Sequence, residues 1–132
     1  MKATRFEDVR DLLVVKARVW GRNGRMQVAL ALDTGSAETV IVPEVVDRLG
    51  YSPREGVAIT RVRSAVSEEQ GYTLRVRQFE TLGFAITNFP VHVFDLAEGF
   101  GIDGLVGLSF LNQFNYEVRS RERLIRVERI VD

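Results

Sequence analysis

The chain contains no cysteine, one histidine and three prolines, and lysine occurs only at positions 2 and 16. Without cysteine there is neither a disulfide scaffold nor a thiolate metal site, and a reducing compartment fits, so a cytoplasmic location is expected. One histidine, His92, cannot by itself furnish a zinc site, and no metal or cofactor is expected. Neither sign of charge is in excess: 18 Lys and Arg balance 18 Asp and Glu. That removes a bulk electrostatic case for nucleic acid or an anionic membrane as partner. Long apolar runs are missing too. Nothing approaches a membrane span, and Met1 to Asp8 has no stretch of signal-peptide type. What is present, 132 residues of which 45% are apolar, suits one domain with a real core. Residues 1–132 are read as a single domain whose core runs from about residue 12 to about residue 128.

The apolar residues are arranged for strands. Leu12 to Trp20 is rich in Val and Leu. Gly21-Arg22-Asn23-Gly24-Arg25 is turn chemistry centred on Asn-Gly, and Met26 to Leu32 returns as the second arm of a hairpin. Thr39 to Val42 predicts a short strand. Pro43 opens one or two helical turns that Gly50 stops. Val57 to Ser64 and Tyr72 to Phe79 alternate as strands around a polar, turn-like Ser67-Glu68-Glu69-Gln70-Gly71. In the second of these, Tyr72, Leu74 and Val76 share one face, and Thr73, Arg75 and Arg77 the other. Thr81 to Phe84 and Ile86 to Phe94 are read as further strands, the latter broken near Asn88-Phe89-Pro90. Glu98-Gly99-Phe100-Gly101 reads as a loop. Ile102 to Gly107 is a compact apolar stretch, Leu108 to Phe114 a short amphipathic helix, and Tyr116 to Val118 and Leu124 to Val127 closing strands. Many short strands with one or two short helices predict an all-β fold, a small closed barrel. Met1 to Asp11 gives no register.

One segment carries chemistry. The apolar run Leu30-Ala31-Leu32 ends in Asp33-Thr34-Gly35-Ser36, and far downstream Gly104-Leu105-Val106-Gly107 leads into Leu108-Ser109-Phe110-Leu111. On these two motifs, and on Val42-Pro43 to Leu49-Gly50, the chain from about Val14 to Val127 resembles the retroviral-type, single-domain aspartic proteases and their bacterial relatives. The resemblance implies a retropepsin-like homodimer with a site shared between subunits. Asp33 of each copy would be the catalytic acid. The two carboxylates would share one proton, one acting as general base on water and the other as general acid. Gly35 would let its N–H reach a carboxylate. Thr34 hydroxyls would bond across the dimer axis, and Ser36 would bond the outer carboxylate oxygen. Leu105, Val106 and Gly107 would pack beneath the loop. An extended peptide or protein substrate would lie under the hairpin from Ile59 to Val76, the family's flap, contacted by Thr60, Val62, Ser64, Ala65 and Val66. The tip near Ser64 to Gly71 departs from the family pattern: it lacks a glycine-rich stretch and carries Glu68-Glu69.

The remaining polar residues are assigned structural places. His92 alternates with Val91 and Val93 and is expected to face out of its strand, and no nucleophile elbow accompanies it. Asp103 is not followed by Thr-Gly or Ser-Gly and is read as a turn or hydrogen-bonding residue. Arg61, Arg63, Arg75 and Arg77 fall at strand spacing and predict a solvated or salt-bridged face. Trp20 and the phenylalanines are placed in the core or a dimer interface. A reading of a different class stays open beside the endopeptidase: a non-catalytic dimerisation or peptide-binding module that keeps the same fold.

Overall fold

The computed structural model describes residues 1–9, 11–52, 54, 58–63, 68–96 and 101–130, with the backbone alone along 58–63 and 68–70. In chain order the elements are β1 (Lys2–Arg5), β2 (Glu7–Val9), β3 (Leu12–Gly21), β4 (Gly24–Leu32), β5 (Val40–Ile41), α1 (Pro43–Arg48), β6 (Ala58–Arg63), β7 (Glu68–Thr81), β8 (Phe84–Val93), β9 (Gly104–Val106), α2 (Leu108–Leu111), β10 (Phe114–Arg119) and β11 (Leu124–Arg129).

The β3–β4 hairpin follows from its alternation. Val15, Ala17 and Val19 are buried while Lys16 and Arg18 are exposed. The register sets Val15 opposite Leu30, Ala17 opposite Val28 and Val19 opposite Met26, which puts the apolar side chains of both strands on one face. The turn needs a left-handed residue, and Gly24 supplies it at φ 105°.

From this hairpin the pairings run β3–β4–β9–β5–β8–β7 and return to β3. The β4–β9 and β5–β8 steps are parallel. The return step rests on four pairs, Ala17 to Trp20 against Thr81 to Gln78. The fold is all-β, and the ring of pairings is less regular than the small closed barrel expected from sequence. Tyr51 secures its closing step: its hydroxyl donates to the Trp20 carbonyl and accepts from the Arg77 N–H, both at 2.9 Å. A second sheet, ordered β1–β11–β10, stands beside the first.

Both helices are too short to stand alone. Pro43 at the start of α1 fixes the entry, and Glu44 and Arg48 pair one turn apart at 2.9 Å. Asn23 Nδ2 donates to the Arg48 carbonyl, so the hairpin turn caps the C-terminus of α1. In α2 the anchors are Phe110 and Leu111, both fully buried. Phe110 meets Phe79 edge-on at 5.5 Å, Phe89 at 6.0 Å and Phe114 at 5.0 Å. Burying each such ring contributes about 1.5–3 kcal/mol, far more than four residues of helix propensity, so packing decides where α2 sits.

Several elements differ from the sequence expectation. Glu68 to Gly71 is strand, not turn, and lengthens β7. Thr81 to Phe84 is not a strand of its own. It holds the β7–β8 turn, with Leu82 at φ 55° and Gly83 at φ 86°. β8 runs on through Asn88-Phe89-Pro90, but the expected irregularity is there: Asn88 is left-handed at φ 53° and drops out of the register with β7. The pairing of β8 with β5 begins only at His92, so at Pro90 it has one paired neighbour and a missing N–H is tolerated. α2 ends at Leu111, because Phe114 already opens β10 and packs at a tilt against Phe84, ring centroids 4.8 Å apart. The N-terminal residues do have a register: Lys2 to Arg5 pairs with Val127 to Leu124, and Glu7 to Val9 pairs with Val14 to Leu12. Arg61 and Arg63 pair with Gln70 and Glu68, and Arg75 with Pro90; the side chains of Arg61 and Arg63, on which the expected arginine face depends, lie outside the described residues. Residues 64–67 of the expected hairpin tip and Glu98, Gly99 and Phe100 of the expected loop lie outside the described residues.

Candidate active site

Asp33 follows the last residue of β4, and its backbone N–H donates to the Val106 carbonyl at 2.9 Å. The parallel pairing of β4 with β9 places Leu30, Ala31 and Leu32 beside Gly104, Leu105 and Val106. The two motifs, more than seventy residues apart in the chain, therefore meet side by side. Gly35 N–H donates to Asp33 Oδ1 at 2.9 Å, and Ser36 N–H to the Asp33 carbonyl at 3.2 Å. These bonds curl the loop around its own acid. Asp33 is half-buried, and Thr34 and Gly35 at the loop tip are exposed.

The segment after β9 holds this loop from behind. Leu108 N–H donates to the Ser36 carbonyl at 2.8 Å and Ser109 N–H to the Ala37 carbonyl at 2.9 Å. Gly107 N–H donates to Thr39 Oγ1 at 3.3 Å, and Thr39 Oγ1 lies 2.9 Å from Ser109 Oγ. Thr39 is fully buried, so its hydroxyl must find partners inside the protein. Both glycines of Gly104-Leu105-Val106-Gly107 mark close backbone approaches. A Cβ at Gly104 would overlap the Val40 carbonyl, and one at Gly107 the carbonyls of Glu38 and Ser36. Val106 between them is buried, and Leu105 is half-buried opposite Ala31 and Val40.

Other residues singled out in the sequence fall as follows. Ser36 Oγ does not bond the carboxylate of its own chain: it donates to the Glu38 carbonyl at 2.8 Å. Asp103 is a hydrogen-bonding residue. Its Oδ2 accepts the Ala29 N–H at 2.9 Å while its own N–H donates to the Ala29 carbonyl at 2.7 Å. Ala29 precedes Asp33 by four strand residues, a distance of roughly 13 Å, so these two acids of one chain cannot share a proton. Thr60 and Val62 lie in β6 opposite Gly71 and Glu69. Ser64, Ala65 and Val66 lie outside the described residues.

His92 is a residue the sequence reading undervalued. It points away from the core face of Val91 and Val93, as expected, yet its side chain is only 14% exposed and lies against Glu38 of the loop that follows Asp33. Its backbone N–H donates to the Thr39 carbonyl at 2.8 Å, and Nε2 stands 3.2 Å from Glu38 Oε2. No spacing rule links Glu38 to His92. The parallel β5–β8 pairing, which sets Val40 beside His92, creates the contact.

The geometry defines a class. A loop-borne acid at a strand end, backed by a glycine-flanked apolar segment, is the local arrangement expected of an aspartic protease. The chain belongs to the aspartyl protease family, whose model matches residues 15–110. Among solved structures it is similar to a retropepsin-like aspartic protease from Rickettsia conorii, at a TM-score of 0.67 and 19% identity, covering 95% of this chain and 87% of that one. The fold is accordingly retropepsin-like. A comparison with curated proteins finds no match. Among the described residues no helix is long and apolar enough to cross a membrane.

Proposed function

We propose that the chain is an aspartic endopeptidase whose site is completed by a second copy of itself. The observation that carries this reading is the built half-site. Asp33 is held at the end of β4 by the Val106 carbonyl and by Gly35, on an exposed loop tip, and Asp103 is committed elsewhere. One acid per chain cannot serve as both general base and general acid, whereas two Asp33 carboxylates facing across a dimer axis can.

In that dimer the pair holds one proton between them, because two adjacent carboxylates do not both ionise readily. The ionised partner takes a proton from a bound water as its oxygen attacks the peptide carbonyl carbon. The protonated partner gives its proton to the carbonyl oxygen. The tetrahedral intermediate then collapses with proton transfer to the leaving nitrogen, and no covalent bond to the enzyme forms. Thr34 of each copy links the two loops, and Leu105, Val106 and Gly107 support each from below. The substrate lies as an extended strand beneath the β6–β7 hairpin, and the resemblance assigns its contacts to the stretch that includes Thr60, Val62, Ser64, Ala65 and Val66.

The test is cleavage of an unfolded protein substrate between about pH 4 and pH 7, a range suited to a coupled carboxylate pair, with Asp33→Asn as control and sedimentation to establish the dimer. Cleavage by the wild type alone supports the endopeptidase. A verified dimer that binds peptide equally well with and without Asp33→Asn, and never cleaves, supports the non-catalytic module instead.

A further inference from the structure

The active-site loop is held on one side by the segment after β9. On its other side it meets β8 at His92. We propose that His92 is a positioning residue for this loop, donating from Nε2 to the Glu38 carboxylate and so fixing the end of the loop that begins at Asp33. The proposal rests on the endopeptidase reading for its catalytic consequence, but not for the contact itself.

Three observations converge on it. The Nε2 to Oε2 separation is 3.2 Å. The same residue already holds the loop through its backbone N–H and the Thr39 carbonyl at 2.8 Å, so the imidazole starts in register with its target. Glu38 is itself the junction of the loop: its carbonyl accepts Ser36 Oγ at 2.8 Å and lies directly against Gly107. A pull on the Glu38 side chain is therefore felt at Ser36, three residues from Asp33.

The tautomer follows from the surroundings. His92 Nδ1 is buried and has no hydrogen-bond partner among the described residues. A proton placed there would be a buried donor without an acceptor, which costs more than an unused lone pair. The proton therefore sits on Nε2, facing Glu38. The groups across from His92 on the adjoining strands, Val40 of β5 and Thr73 of β7, carry no charge. Arg75, two residues along β7, gives its guanidinium to the Asn88 carbonyl at 3.0 Å. Glu38 is thus the acceptor available to the imidazole, and a neutral donor of the right reach suffices.

That last point makes the proposal testable by a conservative replacement. In His92→Gln the amide nitrogen can occupy the place of Nε2. In His92→Asn it cannot reach, and in His92→Phe the donor is gone while a ring remains. The readouts on the full-length chain are hydrogen exchange at the Leu108 and Ser109 amides, which donate to the loop carbonyls, and kcat and KM on a cleaved peptide. Expected are exchange and kcat near wild type for His92→Gln. For His92→Phe and His92→Asn, exchange is expected to be roughly fivefold faster and kcat roughly fivefold lower, with little change in KM. Glu38→Ala, at a half-exposed side chain that folding tolerates, should match His92→Phe, and the double variant should be no worse than either single one. Unchanged exchange in His92→Phe overturns the proposal, as does a His92→Gln protein as impaired as His92→Phe. If none of the proteins cleaves peptide, the exchange pattern still decides the tether, and only the endopeptidase reading falls.

Discussion

Thr39 Oγ1 lies 2.9 Å from Ser109 Oγ and also accepts the Gly107 N–H at 3.3 Å. One buried hydroxyl thereby joins the loop that begins at Asp33 to the start of α2. Thr39→Val keeps the shape and removes the oxygen, leaving the half-buried Ser109 hydroxyl and the buried Gly107 N–H without this partner. The expected loss is about 1–3 kcal/mol in urea unfolding, with Thr39→Ser recovering much of it. Equal stability of wild type and Thr39→Val would show that the hydroxyl contributes nothing.

Gly107→Ala is the steric counterpart. The backbone there is ordinary extended chain at φ −105° and ψ −169°, so the added methyl group meets no conformational strain of its own. It meets the carbonyls of Glu38 and Ser36. Main-chain atoms cannot swing aside as a side chain can, so the loop that carries Asp33 must shift. A destabilisation of at least about 1–3 kcal/mol is expected by thermal unfolding, together with loss of most turnover at temperatures where the protein remains folded.

The two acids near β4 should behave differently. Asp33→Asn is expected to abolish peptide cleavage with little change in unfolding. Asp103→Asn retains an oxygen for the Ala29 N–H and should keep most activity. Asp103→Ala removes that acceptor and should cost about 1–2 kcal/mol. Activity that disappears in Asp103→Asn but survives in Asp33→Asn would reverse the assignment of the acid.

Tyr51→Phe tests the closing step of the ring. The substitution withdraws the donor to the Trp20 carbonyl and the acceptor of the Arg77 N–H without changing the packing of the phenyl ring. A cost of about 1–3 kcal/mol is expected. Exchange of the β3–β7 amides should rise first, since only four residue pairs hold that step.

How far the sequence could be read depended on whether a feature was local. The β3–β4 hairpin, the turn at Asn23-Gly24 and the motif at Asp33 are written in neighbouring residues. The β7–β8 turn was misread because Leu82, an apolar residue in the left-handed region, is 1% exposed. Tertiary burial overrode the usual turn chemistry. Gly71 suggested a turn, yet it lies within β7 because a Cβ there would overlap the Val93 carbonyl. β1 has no apolar alternation to announce it, and its register exists only in its pairing with β11. The site was half legible in the same sense. Asp33 and Gly35 stand in one motif, but the hold of Thr39 on Ser109 comes from the antiparallel β5–β9 pairing and the nearness of Glu38 to His92 from the parallel β5–β8 pairing, neither of which a local pattern encodes.

The joining of β4 to β9 also has a consequence in time. On a chain emerging from the ribosome, Asp33 appears some seventy residues before Val106, Gly107 and Ser109, which complete the loop's support. Loop closure over such a span is slow compared with local hairpin formation. The loop that carries Asp33 therefore stays unsupported until the segment after β9 has been made and has found β4.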